Sequence, residues 1–160
     1  MDTEFHTLKG YQLLNTEEIT ESMEDYLEML CRHMQDHAYM RINLLSQLLN
    51  VRPSSASKMV SKLRGLGLVQ SEKYGLVTLT EEGTAVGTYF LWRHRVLHRF
   101  FCLLNHTDNE LKQVEQVEHF INRPTLEQLE KLTARMEQWE VEESGPPQDI
   151  ALPAQEKNPG

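Results

Sequence analysis

Only two cysteines occur in the 160 residues, Cys31 and Cys102, and they show no CxxC spacing. That excludes a disulfide framework and a closed thiolate metal site, and both residues read as reduced thiols within apolar helical patterns. No apolar run approaches the roughly 20 residues needed to cross a bilayer. The start, Met1-Asp2-Thr3-Glu4-Phe5-His6, lacks the basic-then-apolar order of a secretory leader. The expectation is a soluble, cytoplasmic chain with no membrane partner. Internal repeats and biased tracts that would impose another architecture are also missing. What remains, 39% apolar residues, suffices for one ordinary core, or a small domain with a helical appendage.

Positive charge is scarce overall but concentrated. Between Arg41 and Lys73 stand Arg41, Arg52, Lys58, Lys62, Arg64 and Lys73 against the single acid Glu72, a balance of +5 in a chain of net charge −8, which leaves −13 for the rest. A basic segment inside an acidic chain is an electrostatic footprint for nucleic acid.

Along the chain, residues 1–21 read as an arm without sustained period. Ser22-x-x-Asp25 reads as a capping box, with Tyr26, Leu27, Leu30 and Met34 behind it at helical spacing, so a helix is predicted from about Met23 to His37. Ile42, Leu44, Leu45, Leu48 and Leu49 form a short amphipathic helix closed by Asn50. Arg52-Pro53 opens another that ends near Leu66. Residues 68–71 and 76–80 alternate like strands around Lys73-Tyr74-Gly75. Three helices followed by a two-stranded wing is the order of a winged helix, over residues 22–81. Thr80-x-x-Gly83 then opens a long helix to about Asn105. Its run of large apolar residues exceeds what a small winged helix covers, which suggests a dimer interface. A shorter element, 108–120, and a final helix capped by Thr125, with Leu126, Leu129, Leu132, Met136 and Trp139 inward, complete a helical part spanning 82–140. A Pro-rich tail, 141–160, is expected to be disordered. The predicted fold is mainly α with a small β-wing.

Two constellations carry chemistry. Arg52, Pro53, Ser54, Ser55, Ser57, Lys58 and Lys62 put small hydroxyl side chains and cations on the first turns of the third helix, while Met59, Val60 and Leu63 can face a core. Such a helix start can approach a major groove closely and neutralise phosphates, with Lys73 and Tyr74 reaching the backbone from the wing. The ordinary alternative is a polar, well-capped helix start. The second constellation is Asp25 and Glu28 at i, i+3, and Glu115, Glu118 and His119 at i, i+3, i+4, each group on one helical face, with His94 able to join them. Oxygen and imidazole donors without sulfur suit Mn(II), Fe(II), Co(II) or Zn(II), and the hard character leans towards manganese. Four carboxylates would repel one another unless neutralised, and two divalent cations would do so. Each residue has a plainer role too: Asp25 as the capping-box acid, Glu28, Glu115 and Glu118 as solvated acids, His94 as a core or interface histidine, His119 as a helix-end cation.

Ser22-Met23-Glu24-Asp25-Tyr26-Leu27-Glu28, Arg52–Val60, Glu72-Lys73-Tyr74-Gly75, Arg93-His94 and Val114–His119 together resemble the manganese-responsive branch of the diphtheria toxin repressor family, over about residues 22–140. The resemblance implies a homodimeric winged-helix repressor of metal uptake genes that binds double-stranded operator DNA, dimerises through residues 82–140 and takes no small organic substrate. It also implies an Mn(II) site that joins the first helix of the DNA-binding part to the dimerisation helices, and the charge of the four carboxylates suggests two ions per protomer. Asp25, Glu28, His94, Glu115, Glu118 and His119 stand at its ligand positions. The iron-responsive branch carries methionine and cysteine where this chain has Asp25 and Glu115, and an iron-responsive repressor is therefore the nearer alternative. A di-metal carboxylate enzyme in a helical bundle is the further one, but it would use paired Glu-x-x-His motifs that are absent here. The chain departs from the pattern at His98, where relatives often have an acid, and at Phe120, where they often have a second histidine. It is also too short for the iron branch's additional C-terminal domain. His98 is left as an added ligand, a modifier of a second site, or a solvent-facing residue.

Overall fold

The computed structural model describes residues 18–143; the predicted arm and tail lie mostly outside them. The first helix, α1, spans Glu21–His33. Its cap is Thr20, whose Oγ1 accepts from the Met23 amide at 3.4 Å. The Ser22-x-x-Asp25 capping box is therefore not used, and Asp25 is left free for other work. The helix stops before His37 because the chain turns after Met34, and the His37 ring stacks back on His33 at 4.1 Å.

A two-residue strand, β1 (Met40–Arg41), precedes α2 (Ile42–Leu48). Asn50, at φ 53°, turns the chain in the left-handed region that asparagine tolerates better than most residues. The third helix, α3 (Pro53–Gly65), has proline in its first turn, where a missing N–H costs nothing. β2 (Val69–Ser71) and β3 (Leu76–Leu79) flank a 3-10 turn at Lys73–Gly75, and β1 pairs with the other edge of β3, giving the order β1-β3-β2. The register sets Met40 opposite Val77 on one side and Ser71 opposite Val77 on the other. The wing is thus one strand wider than the predicted hairpin.

α4 runs from Glu81 to Asn105, capped by Thr80, which accepts from the Gly83 amide at 3.0 Å and donates to the Gly67 carbonyl at 2.7 Å. Two glycines let α4 sit this close to the winged helix. A Cβ at Gly83 would lie 1.8 Å from the Leu68 carbonyl oxygen, and one at Gly87 would lie 2.7 Å from the Cys31 Cβ. Then come α5 (Leu111–Val117), a 3-10 turn (Glu118–Phe120) and α6 (Arg123–Glu143). Asn122, whose Oδ1 accepts from the Thr125 amide at 3.0 Å, caps α6 in place of the predicted Thr125.

Two apolar clusters follow from this layout. The larger joins α1, α2, α3, the sheet and the first half of α4 around Leu27, Leu30, Leu45, Leu63, Val77 and Phe90. The smaller, Val96, Leu97, Val114 and Leu126, binds the second half of α4 to α5 and α6, and Tyr89 touches both. Much of α4 is therefore covered within its own chain. The apolar residues left exposed include Leu104 on α4 and, contrary to their predicted inward placement, Leu132 and Trp139 on α6.

Candidate metal centre

α1, α4 and the α5–3-10 segment bring five of the six anticipated ligands into donor range. His94 Nδ1 lies 3.1 Å from Glu118 Oε2 and 3.6 Å from Glu28 Oε1, and His119 Nε2 lies 3.5 Å from Asp25 Oδ1. Two groups of three donors result, Glu28, His94 and Glu118, and Asp25, Glu118 and His119, with the donor atoms of each within 4.8 Å of one another. Glu118, only 3% exposed, belongs to both. Glu115 lies outside both groups. It is exposed, yet it lines the same cavity of about 370 Å³ as the other five.

The electrostatics fit a divalent cation. Burial raises the carboxyl of Glu28, and the neighbouring charge of Glu118 raises it further. Asp25 is raised for the same first reason, against the pull of His119. The hydrogen bond with Glu118 raises His94 despite its partial burial. Carboxylates crowded where water is scarce resist ionisation, and a cation bound among them would remove that cost. The donors are oxygen and imidazole nitrogen alone, a set for Mn(II)-like ions rather than for soft metals. The buried thiol of Cys31 faces Thr88 instead.

Two residues that sequence reasoning did not single out complete the centre. Glu24 Oε2 lies 2.5 Å from His119 Nδ1 and accepts from Arg93 Nη2 at 2.7 Å. Arg93 Nη2 also lies 3.3 Å from His119 Nδ1. A proton on Nδ1, donated to the Glu24 carboxylate, would leave Nε2, on the Asp25 side, as the nitrogen for an ion, the arrangement that orients metal-binding histidines generally. Arg93 is 3% exposed, its guanidinium carbon is 4.8 Å over the Phe90 ring, and its Nε has no hydrogen-bond partner among the described residues. One signal was present in the sequence: Arg93 follows Val86 and Phe90 and precedes Leu97 in register with an apolar stripe, an unusual place for a cation without a buried partner. Glu24, by contrast, looks like any first-turn acid.

The other constellation is presented rather than enclosed. Arg52, Pro53, Ser54, Ser55, Ser57, Lys58 and Lys62 are exposed on the outer side of α3, while Ala56, Val60 and Leu63 face the core and Met59 is half-buried. Lys73 is exposed at the wing tip, beside Tyr74, which is 89% exposed at φ 66°. Among the described residues, none of Arg52, Lys58, Lys62 or Lys73 is engaged in an ion pair. His98, half-buried on α4, belongs to neither donor group; its Nε2 accepts from the Glu110 amide at 3.4 Å.

Residues 18–77 match the family described as iron dependent repressor, N-terminal DNA binding domain. The chain is similar to the HTH-type transcriptional regulator MntR of Shouchella clausii, 33% identical over 69% of this chain and 78% of the relative. It is also similar to MntR of Oceanobacillus iheyensis, 32% identical over 69% and 76%. Among solved structures it is similar to the manganese regulator SloR, with a TM-score of 0.63 and 25% identity over 72% of this chain. It spans 55%, about half, of that longer protein.

Proposed function

The chain belongs to the manganese-responsive branch of the diphtheria toxin repressor family, a family of metal-dependent transcriptional regulators rather than enzymes, and on that premise we propose that it represses metal uptake genes by binding operator DNA as an Mn(II)-loaded homodimer in the cytoplasm. The observation that carries this reading is the sharing of Glu118 between two three-donor groups built from three separate elements. Asp25, Glu118 and His119 would hold one ion, and Glu28, His94 and Glu118 the other, with Glu115 closing in from the cavity rim. Bound there, the cations supply charge neutralisation and cross-linking, and no reaction.

What is cross-linked follows from the packing. α1 already lies against α4, with Cys31 packed at Gly87 and Arg93 holding Glu24. The element that metal would add to this pair is the α5–3-10 segment carrying Glu115, Glu118 and His119. That segment leads directly into α6, whose exposed Leu132 and Trp139, with Leu104 of α4, offer apolar surface to a second copy. Metal would thereby set the orientation of the winged helix relative to the partner, so that two α3 helices sit one DNA turn, about 34 Å, apart. No helix of the described residues is long and apolar enough to cross a membrane.

The test begins by selecting duplexes from a random-sequence pool with Mn(II)-loaded protein. Affinity for the selected duplex is then titrated with Mn(II) and with chelator. Mn(II) is expected to tighten binding at least about tenfold, and DNA in turn to tighten Mn(II) binding by the same factor. Affinity indifferent to both additions would end this reading.

A further inference from the structure

His98, Cys102 and His106 recur at every fourth residue near the C-terminal end of α4 and line a second cavity, of about 480 Å³, with Asp108 and with Glu137 and Glu140 of α6. Cys102 Sγ lies 3.7 Å from His98 Nε2 and 3.8 Å from Nδ1. Two ligands of one tetrahedral zinc ion, a thiolate at about 2.3 Å and an imidazole nitrogen at about 2.0 Å, stand roughly 3.5 Å apart. His106 follows one turn later, at the left-handed cap of the helix, with its side chain 83% exposed and Nδ1 3.7 Å from Glu140 Oε1. Beside it, Arg99 Nη2 donates to both carboxylate oxygens of Glu137 at 2.8 Å, an exposed link between α4 and α6.

We propose that His98, Cys102 and His106, with Glu140, form a second metal site of soft character, for Zn(II) and ions like it. It shares no donor with the Glu118 centre. His98 and Cys102 stand at about ligand separation, His98 Nε2 exchanging its long contact with the Glu110 amide for the ion, and His106 and Glu140, both exposed and 3.7 Å apart, would close by side-chain rotation. Coordination exchanges the Cys102 thiol proton, released to water, for a metal–sulfur bond. A thiolate with two imidazoles selects Zn(II) or Co(II) over Mn(II), the opposite preference to the carboxylate-rich centre, so one protomer would sort two classes of divalent ion into two places. The site joins the end of α4 to α6, outside the path by which the Glu118 centre joins α1 and α4 to α5.

The experiment uses the full chain, reduced, cleared of metal with chelator, loaded with Mn(II) and then titrated with Co(II). The expected result is a thiolate-to-cobalt charge-transfer absorption in the near ultraviolet that Zn(II) abolishes and that Cys102→Ser lacks. Mn(II) binding, followed by electron paramagnetic resonance, stays unchanged in that variant. His106→Ala, a change at an exposed helix end, is expected to weaken Zn(II) binding about tenfold or more, which keeps the test decisive should Cys102→Ser fold poorly. The proposal is overturned by absence of the absorption, by its persistence in Cys102→Ser, or by Zn(II) binding that His106→Ala leaves unaltered.

Discussion

The two donor groups around Glu118 differ in how their histidines are held. In the outer group, His119 has its Nδ1 occupied by Glu24 and its Nε2 turned towards Asp25, which is half-exposed. In the inner group, His94 points the same nitrogen, Nδ1, at both Glu118 and Glu28, and neither carboxylate is exposed. The outer histidine is oriented by a residue that is not itself a donor of the group, so it is set for an ion in advance. The inner one is oriented by its own fellow ligands, and an ion must replace the hydrogen bond that now positions it. Preorganisation lowers the cost of binding, so the outer position should fill readily and the inner one more selectively.

The largest effect should come from Glu118→Gln, which removes the shared carboxylate. Both ions are expected to weaken by more than the roughly 10–100-fold typical of losing an outer hydrogen-bond partner. Retention of either ion at parental affinity in a calorimetric titration would show that the groups do not depend on Glu118 jointly. Next is Glu24→Gln, in which the amide can donate to His119 Nδ1 and shift the proton to Nε2. The outer ion should weaken about tenfold or more while the inner one holds. Nitrogen-15 spectra of His119 should report the changed tautomer, and an unchanged tautomer with full affinity would refute the positioning role.

Asp25→Ala, removing a half-exposed donor, should weaken the outer ion alone by a smaller factor, on the order of tenfold. If the inner ion weakens equally, the two positions are one. The smallest effect concerns pH in the presence of chelator. Glu28, Asp25 and His94 are all raised in the folded chain, so each contributes stability that is complete below its unfolded value and is lost as pH rises through its folded one. Thermal stability with chelator should therefore fall from mildly acidic to neutral pH, by roughly a few degrees. Glu28→Gln, in the inner group, should flatten that dependence more than Asp25→Asn in the outer. Identical profiles for the two variants would erase the distinction between the groups.

The grouping of these candidate donors is legible because helical geometry turns i, i+3 and i+4 spacing into a shared face, and that geometry holds whether or not the rest of the fold is known. Glu24 was not, since its partner His119 is 95 residues away and nothing local distinguishes an acid that meets a histidine from one that meets water. Glu115 satisfied the spacing yet stands apart from both groups, because spacing fixes the face of a helix and not how far that face lies from its neighbours. β1 escaped for a different reason: two residues carry no period, and Met40–Arg41 becomes a strand only because β3 offers an edge. The Thr20 and Asn122 caps were each displaced by two or three residues from the expected positions, as the sequence around both helix starts offers several capping residues and tertiary packing chooses among them. The large apolar content of α4 suggests surface for a partner, and α5 and α6 of the same chain cover part of it.

The meeting of Gly87 with Cys31 has a bearing on where this molecule can bend. With no room for even a methyl group between them, α1 and the first half of α4 are packed backbone to side chain, and a shift of either helix there is transmitted to the other. Beyond that contact the helical path is broken only at the left-handed corner at His106 and at the short Ile121–Asn122 link among the described residues from α4 to α6, apart from the few residues that lead into α5 and its 3-10 turn. A bulkier residue at 87 or at 31 would therefore act at a distance, re-aiming the recognition helix without touching a single ligand or a single base.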